Sequence, residues 1–234
     1  MLKKCIRSTL RARPPVIIAS YGRGGSTLLY EAVVDAYSQA SFGTTNSIVR
    51  KLFRDRAFLS LQSDFNHSVV YKTHLPANEV VKFQNAPRVV YVYSDPIQAA
   101  LSVIMQAERN GYQWLENHMK NLQAERTSIF ASKTDPFCFE TNLKSWLDNR
   151  SVPVLFLKYE YMWDYSSIIS NFLEADIILP ARKARQAVNA NGDLMDRCFI
   201  WYHDLKTKLD TLPPVYCNRK TLSNALGIEY IYSI

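Results

Sequence analysis

Residues 17–33 read IIASYGRGGSTLLYEAV. Three apolar residues open the stretch, as in a buried strand. Gly22, Gly24 and Gly25 then allow a tight turn, and Ser26-Thr27 begin a run with the spacing of a helix. A glycine-rich turn between strand and helix aims several backbone N–H groups at one point, and the helix dipole adds to their pull on an anion. Arg23 contributes a permanent positive charge, and Ser26 and Thr27 contribute hydroxyl donors. In the nucleotide triphosphatase pattern GxxxxGK[ST], a lysine precedes the hydroxyl residue. Here that position is Gly25, and the first glycine of the pattern falls on Ala19. The stretch therefore specifies an anion cradle but lacks the γ-phosphate lysine of an ATP or GTP hydrolase.

Outward from this unit, strand-like runs recur at Val69–Lys72, Val89–Tyr93 and Val154–Lys158, beside Val16–Ser20 itself. Each is β-branched or aromatic and bounded by Pro, Asn or Asp. Runs apolar on successive residues suit a parallel sheet covered on both faces. Helical patterns lie between or beyond them, at Ser26–Ala40, Asp95–Arg109, 112–126, Phe137–Asn149 and Asp193–Asp210. The alternation predicts an α/β fold: a single domain with a central, mostly parallel sheet flanked by helices and a P-loop-like strand-loop-helix at its heart. No strand signal stands out beyond about residue 175. A basic arm, 1–13, precedes the domain, 14–234.

The bulk properties narrow the function. The chain has 234 residues, 47% hydrophobic and 21% charged, enough to bury a core without disulfides or metal. No apolar run reaches the ~20 residues of a membrane span. Cys5, Cys138, Cys198 and Cys217 are far apart, which suits a reducing compartment and a cytoplasmic location rather than a zinc site. Five of the seven net positive charges fall in the arm, on Lys3, Lys4, Arg7, Arg11 and Arg13. Such an arm draws in anions, binds nucleic acid or membrane, serves as a targeting segment, or is merely solvated. The near-balanced remainder carries no nucleic-acid motif, so nucleic acid is not expected as a partner.

Four stretches taken together resemble the sulfotransferases that use 3′-phosphoadenosine 5′-phosphosulfate (PAPS), particularly the cytosolic type. YGRGGSTLL, 21–29, is similar to the family's 5′-phosphosulfate loop, with Arg23 on its lysine, Gly25 on its glycine and Ser26-Thr27 on its hydroxyl pair. VVYKTHLP, 69–76, resembles the strand end that carries the active-site lysine and the catalytic base, here Lys72 and His74. RVVYVYSDPIQAALSV, 88–103, is similar to the 3′-phosphate unit, and SWLDNRSVPVLFLKYEYM, 145–162, to the helix and strand before its Y-E-D motif. The departures are specific. Ser94 stands where the family has its 3′-phosphate arginine, though the partner serine is kept as Ser102. Leu28 replaces the adenine-stacking tryptophan, and Tyr161 replaces the acid of Y-E-D. Arg219-Lys220 is the nearest counterpart of the C-terminal R-K-G motif.

The resemblance implies PAPS as donor, no metal, and a small-molecule or glycan hydroxyl or amine as acceptor. It implies His74 as general base, with Lys72 and Arg23 stabilising the transferred group. Arg23, Gly24, Gly25, Ser26, Thr27, Ser94, Ser102, Tyr159, Arg219 and Lys220 become the expected donor contacts. Imidazole suits the base role because it keeps its free form near neutral pH. Two rival readings remain: a catalytically degenerate relative that binds nucleotide or a partner, and a P-loop nucleotide kinase. The other histidines (His67, His118, His203) show no pairing in sequence.

Overall fold

The structure is a computed structural model and describes residues 13–55, 68–80, 87–125, 134–183 and 192–231. Most of the basic arm and His67 lie outside the described residues. The strands are β1 Val16–Ala19, β2 Arg54–Asp55, β3 Val70–Thr73, β4 Arg88–Tyr93, β5 Val154–Lys158, β6 Val215–Cys217 and β7 Glu229–Tyr230. They form one sheet in the order β2-β3-β1-β4-β5-β6-β7. Every pairing is parallel except β5 with β6. The α/β expectation holds, and the four strands anticipated from sequence appear within a residue of their expected ends.

The long helices are α1 Ser26–Phe42, α4 Pro96–Asn110, α5 Tyr112–Leu122, α6 Phe139–Asp148, α7 Ser166–Leu173 and α8 Gly192–Asp210. Shorter ones are α2 Ser47–Phe53, α3 Ala77–Val80 and α9 Lys220–Leu226. Strand side chains alternate between two cores, as the two-residue period of a strand requires. Ile17, Tyr71, Tyr91 and Phe156 face a core shared with α4, α5, α6 and α8. Ile18, Val70, Val90 and Leu157 face the other, shared with α1 and α7. That double burial is why these strands carry apolar residues at successive positions through their middles.

The strand signal does not end at 175. After α8 the chain returns through Pro213-Pro214 into β6, antiparallel to β5, and β7 then adds the edge. Both were invisible to periodicity, being three and two residues long. Since β1 lies between β3 and β4, the loops leaving the carboxyl ends of β3, β1, β4 and β5 converge at one end of the sheet. That is where α/β folds place ligands.

Candidate active site

The loop after β1 is built on left-handed backbone. Gly22, Arg23 and Gly25 have φ of 89°, 52° and 83°. Gly25 is the N-cap of the 17-residue α1, and no side chain caps that terminus. A long helix thus begins with uncapped N–H groups beside a concave loop, an arrangement that attracts anions. The glycines are fixed by contact as well as conformation. A Cβ on Gly24 would lie 3.1 Å from the Val92 carbonyl oxygen, and one on Gly25 would overlap the ring of Tyr159. The kinase lysine therefore has no room at position 25. Tyr21 holds the loop to the end of β4: its hydroxyl donates to the Ser94 carbonyl and accepts from the Ser94 N–H at 3.1 Å.

Lys72 and His74 arrive from the end of β3, both nearly buried. Lys72 Nζ donates to Thr27 Oγ1 at 2.9 Å, which puts its charge at the first turn of α1. His74 Nδ1 lies 2.9 Å from the Ser20 carbonyl oxygen and 3.0 Å from Ser20 Oγ. A carbonyl only accepts, so Nδ1 carries the proton and Nε2 carries the lone pair. Ser20 Oγ in turn donates to Ser26 Oγ at 2.9 Å, and the Gly22 N–H donates to Ser20 Oγ at 3.3 Å. From the other side, Asn142 Nδ2 donates to the His74 carbonyl at 2.8 Å while its Oδ1 accepts from the Tyr91 hydroxyl. Trp146 Nε1 donates to the Leu75 carbonyl at 3.1 Å. Helix α6 thus grips the backbone that carries the imidazole.

Burial, then the charge of Lys72 and the neighbouring His118, pushes the His74 imidazole down to about 3. It is neutral across the physiological range. His118, on α5, is pushed down to about 4 by burial and by Arg23 and Lys72. Its ring stacks on Trp114 at 5.0 Å and meets His74 edge-on at 5.9 Å. A Cβ on Gly22 would lie 2.7 Å from its Cε1, so this ring is pressed against the loop. Its Nε2 is buried without a hydrogen-bond partner. Ser20, Asn142 and His118 carried no signal in sequence, because each acquires meaning from a residue at least 44 positions away.

The remaining expected residues divide between the two ends of the sheet. Arg23 Nε donates to Ser102 Oγ on α4 at 2.8 Å. Ser94 is almost fully buried at the end of β4, and its Oγ has no partner. Tyr159 packs on Gly25, with Trp163 edge-on behind it at 5.6 Å. Leu28 packs partly buried against the core on the α1 side. Arg219 and Lys220 are elsewhere. They follow β6, whose Cys217 pairs with Leu155 near the start of β5, and Arg219 Nη2 donates to the Arg150 carbonyl at 2.6 Å. The antiparallel return puts them at the amino end of the parallel strands, away from the loop, so they are not brought into this site.

The sulfotransferase domain model matches residues 13–164, more than half of the chain. The chain belongs to the sulfotransferase family. No curated protein matches it. The matched span contains β1 to β5 and every side chain of this sulfotransferase's loop, its Lys72–Thr27 pair and its Ser20–His74 pair. Family membership carries sulfuryl transfer from PAPS as the general activity. Among the described residues, no helix is long and apolar enough to cross a membrane, and no three His, Cys, Asp or Glu side chains group as metal ligands.

Proposed function

We propose that the protein transfers a sulfuryl group from PAPS to a hydroxyl or amine of a small-molecule or glycan acceptor, with His74 Nε2 taking the acceptor proton. The observation that carries this is the Ser20–His74 pair. It fixes the tautomer and orientation of a neutral, buried imidazole next to an uncapped helix terminus and a lysine. The site fits the 5′ end of such a donor through left-handed loop backbone, the α1 N-terminus, Thr27 and Lys72. It offers no aromatic plane at position 28 for the adenine.

Bound, the donor supplies the sulfuryl group and accepts the leaving charge on its 5′-phosphate. Lys72 and the loop N–H groups face the place where that charge grows, so they act more strongly in the transition state than before it. Held near a pKa of about 3, the His74 imidazole is always unprotonated but weakly basic. Anionic charge brought into the loop offsets the repulsion that the Lys72 ammonium exerts on a protonated His74 and raises the basicity of the imidazole toward the useful range. The orphaned His118 Nε2 is completed by a group bound at the same loop.

The test is calorimetric titration with 3′-phosphoadenosine 5′-phosphate, the product nucleotide, in EDTA, with ATP as control. Micromolar or tighter binding of the bisphosphate with weak ATP binding is expected. Binding of neither would remove the donor reading. Binding without turnover on any acceptor would favour the degenerate relative, for which Leu28 and Ser94 speak. EDTA-sensitive ATP binding would favour the kinase.

A further inference from the structure

Two imidazoles meet at the carboxyl end of the sheet, and the base role accounts for only one of them. His74 comes from the end of β3, and Ser20 ties its Nδ1, which leaves Nε2 for the acceptor proton. His118 comes from α5, whose Met119 and Leu122 join the core on that face of the sheet. The two ring centres are 5.9 Å apart, edge to face.

His118 is only 7% exposed, and its Nε2 has no hydrogen-bond partner among the described residues. The ring is held firmly. Trp114, one helical turn earlier, stacks on it at 5.0 Å, and Gly22 crowds the edge that carries Cε1 and Nε2. A Cβ at position 22 would lie 3.0 Å from Nε2 and cover it. If packing were the only task here, a phenylalanine would fill the place without burying an unpaired nitrogen.

The chemistry of the missing partner follows from the surroundings. Burial, then Arg23 and Lys72, keep this ring neutral. A neutral ring nitrogen either accepts or donates one hydrogen bond, and a hydroxyl completes it in both cases. An ammonium would meet the two cations. An anion is better served by the loop N–H groups and Lys72 than by an uncharged ring. Nor is the hydroxyl the reacting one. The attacking oxygen gives its one proton to His74, and a hydrogen bond donated to it would blunt its attack on sulfur. Two oxygens on neighbouring carbons, each about 2.7–3.2 Å from one ring nitrogen, bridge imidazoles at this separation.

We propose that His118 Nε2 binds a second hydroxyl beside the reacting one, so that the preferred acceptor is a 1,2-diol: a sugar ring, a cyclic polyol or a catechol. This deepens the sulfuryl-transfer reading above and rests on it. His118 is then the residue that selects the acceptor, and Gly22 keeps its nitrogen uncovered.

Transfer of labelled sulfate from PAPS to matched acceptors tests this: catechol against phenol, and cis-cyclohexane-1,2-diol against cyclohexanol. The wild type should favour the diol of at least one pair by tenfold or more in kcat/KM. His118→Phe keeps a ring to stack on Trp114 and removes the nitrogen. It should lower kcat/KM for the diol tenfold or more, chiefly through KM, and for the lone alcohol by much less, so that their ratio closes toward one. His118→Gln returns a side-chain amide and should recover part of the preference. If thermal melting shows His118→Phe to be misfolded, the diol ratios of wild type and His118→Gln decide. Equal losses for diol and lone alcohol in a normally folded His118→Phe would overturn the assignment. So would a wild type that binds 3′-phosphoadenosine 5′-phosphate by calorimetry yet prefers no diol, including one that transfers to none of the four. A wild type that does not bind the bisphosphate overturns the donor reading itself.

Discussion

His74 shows how far one side chain depends on its surroundings. In water an imidazole near its ordinary ~6.5 is half charged at mildly acid pH. Here burial and Lys72 hold it at about 3. The pH profile of kcat/KM reports the free enzyme, so it should show no acid limb near 6.5 and stay level from about pH 5.5 to 8. An acid limb centred near 6.5 that moved on His74→Gln would contradict the neutral, desolvated imidazole. His74→Ala should lower turnover by about 10²- to 10⁴-fold, the usual span for a general base, while bisphosphate binding changes little. Survival of near wild-type turnover would remove His74 as the base. The loop residues, Lys72 and His74 were legible because they are contiguous in sequence. Ser20 was not, since its value lies in a carbonyl and a hydroxyl that meet a ring 54 positions later.

Helix α6 is the element on which that geometry rests. Asn142 sits on its buried face and completes two otherwise stranded groups, the Tyr91 hydroxyl and the His74 carbonyl. Asn142→Leu keeps the volume roughly and removes both bonds. It should cost about 1–3 kcal/mol of stability for each buried group left unpaired, measured by urea unfolding. Turnover should fall further than bisphosphate affinity, because the displaced strand end carries the base and not the loop. Equal falls in both would assign α6 a general scaffolding role. The long helices and the central strands could be read from sequence because each buries a repeating pattern. Strand β6 and the edge strand β7 are too short to show a period, and β7 is exposed. Their pairing is decided by where α8 delivers the chain. The same return explains why Arg219-Lys220 looked suitable in sequence yet lies at the other end of the sheet.

At the scale of the molecule, the two buried imidazoles link folding to pH. Both have folded values, about 3 for His74 and about 4 for His118, below the ~6.5 of an unfolded histidine. Below that value the unfolded chain takes up protons that the folded chain does not, so stability falls as pH drops through 6.5 toward 4 and is regained as pH rises. Tm at pH 4.5 should be lower than at pH 7.5, and the His74→Gln/His118→Gln double variant should flatten that part of the curve. An unchanged slope in the double variant would mean that other groups govern the acid limb. Saturating bisphosphate should lessen the acid sensitivity, because its charge favours the protonated imidazoles.

The placement of β1 between β3 and β4 also bears on when the site comes into being. Its contacts join Ser20 to His74, Arg23 to Ser102 and His74 to Asn142, separations of 54, 79 and 68 residues. No hairpin or single helix-strand unit holds even one of these pairs. Closing loops of that length is slow and yields nothing until the central strands are aligned. During refolding, nucleotide capture should therefore emerge with the final cooperative phase, after helical signal has already returned. A ligand present from the start would then slow escape from the finished state far more than it would hasten arrival there.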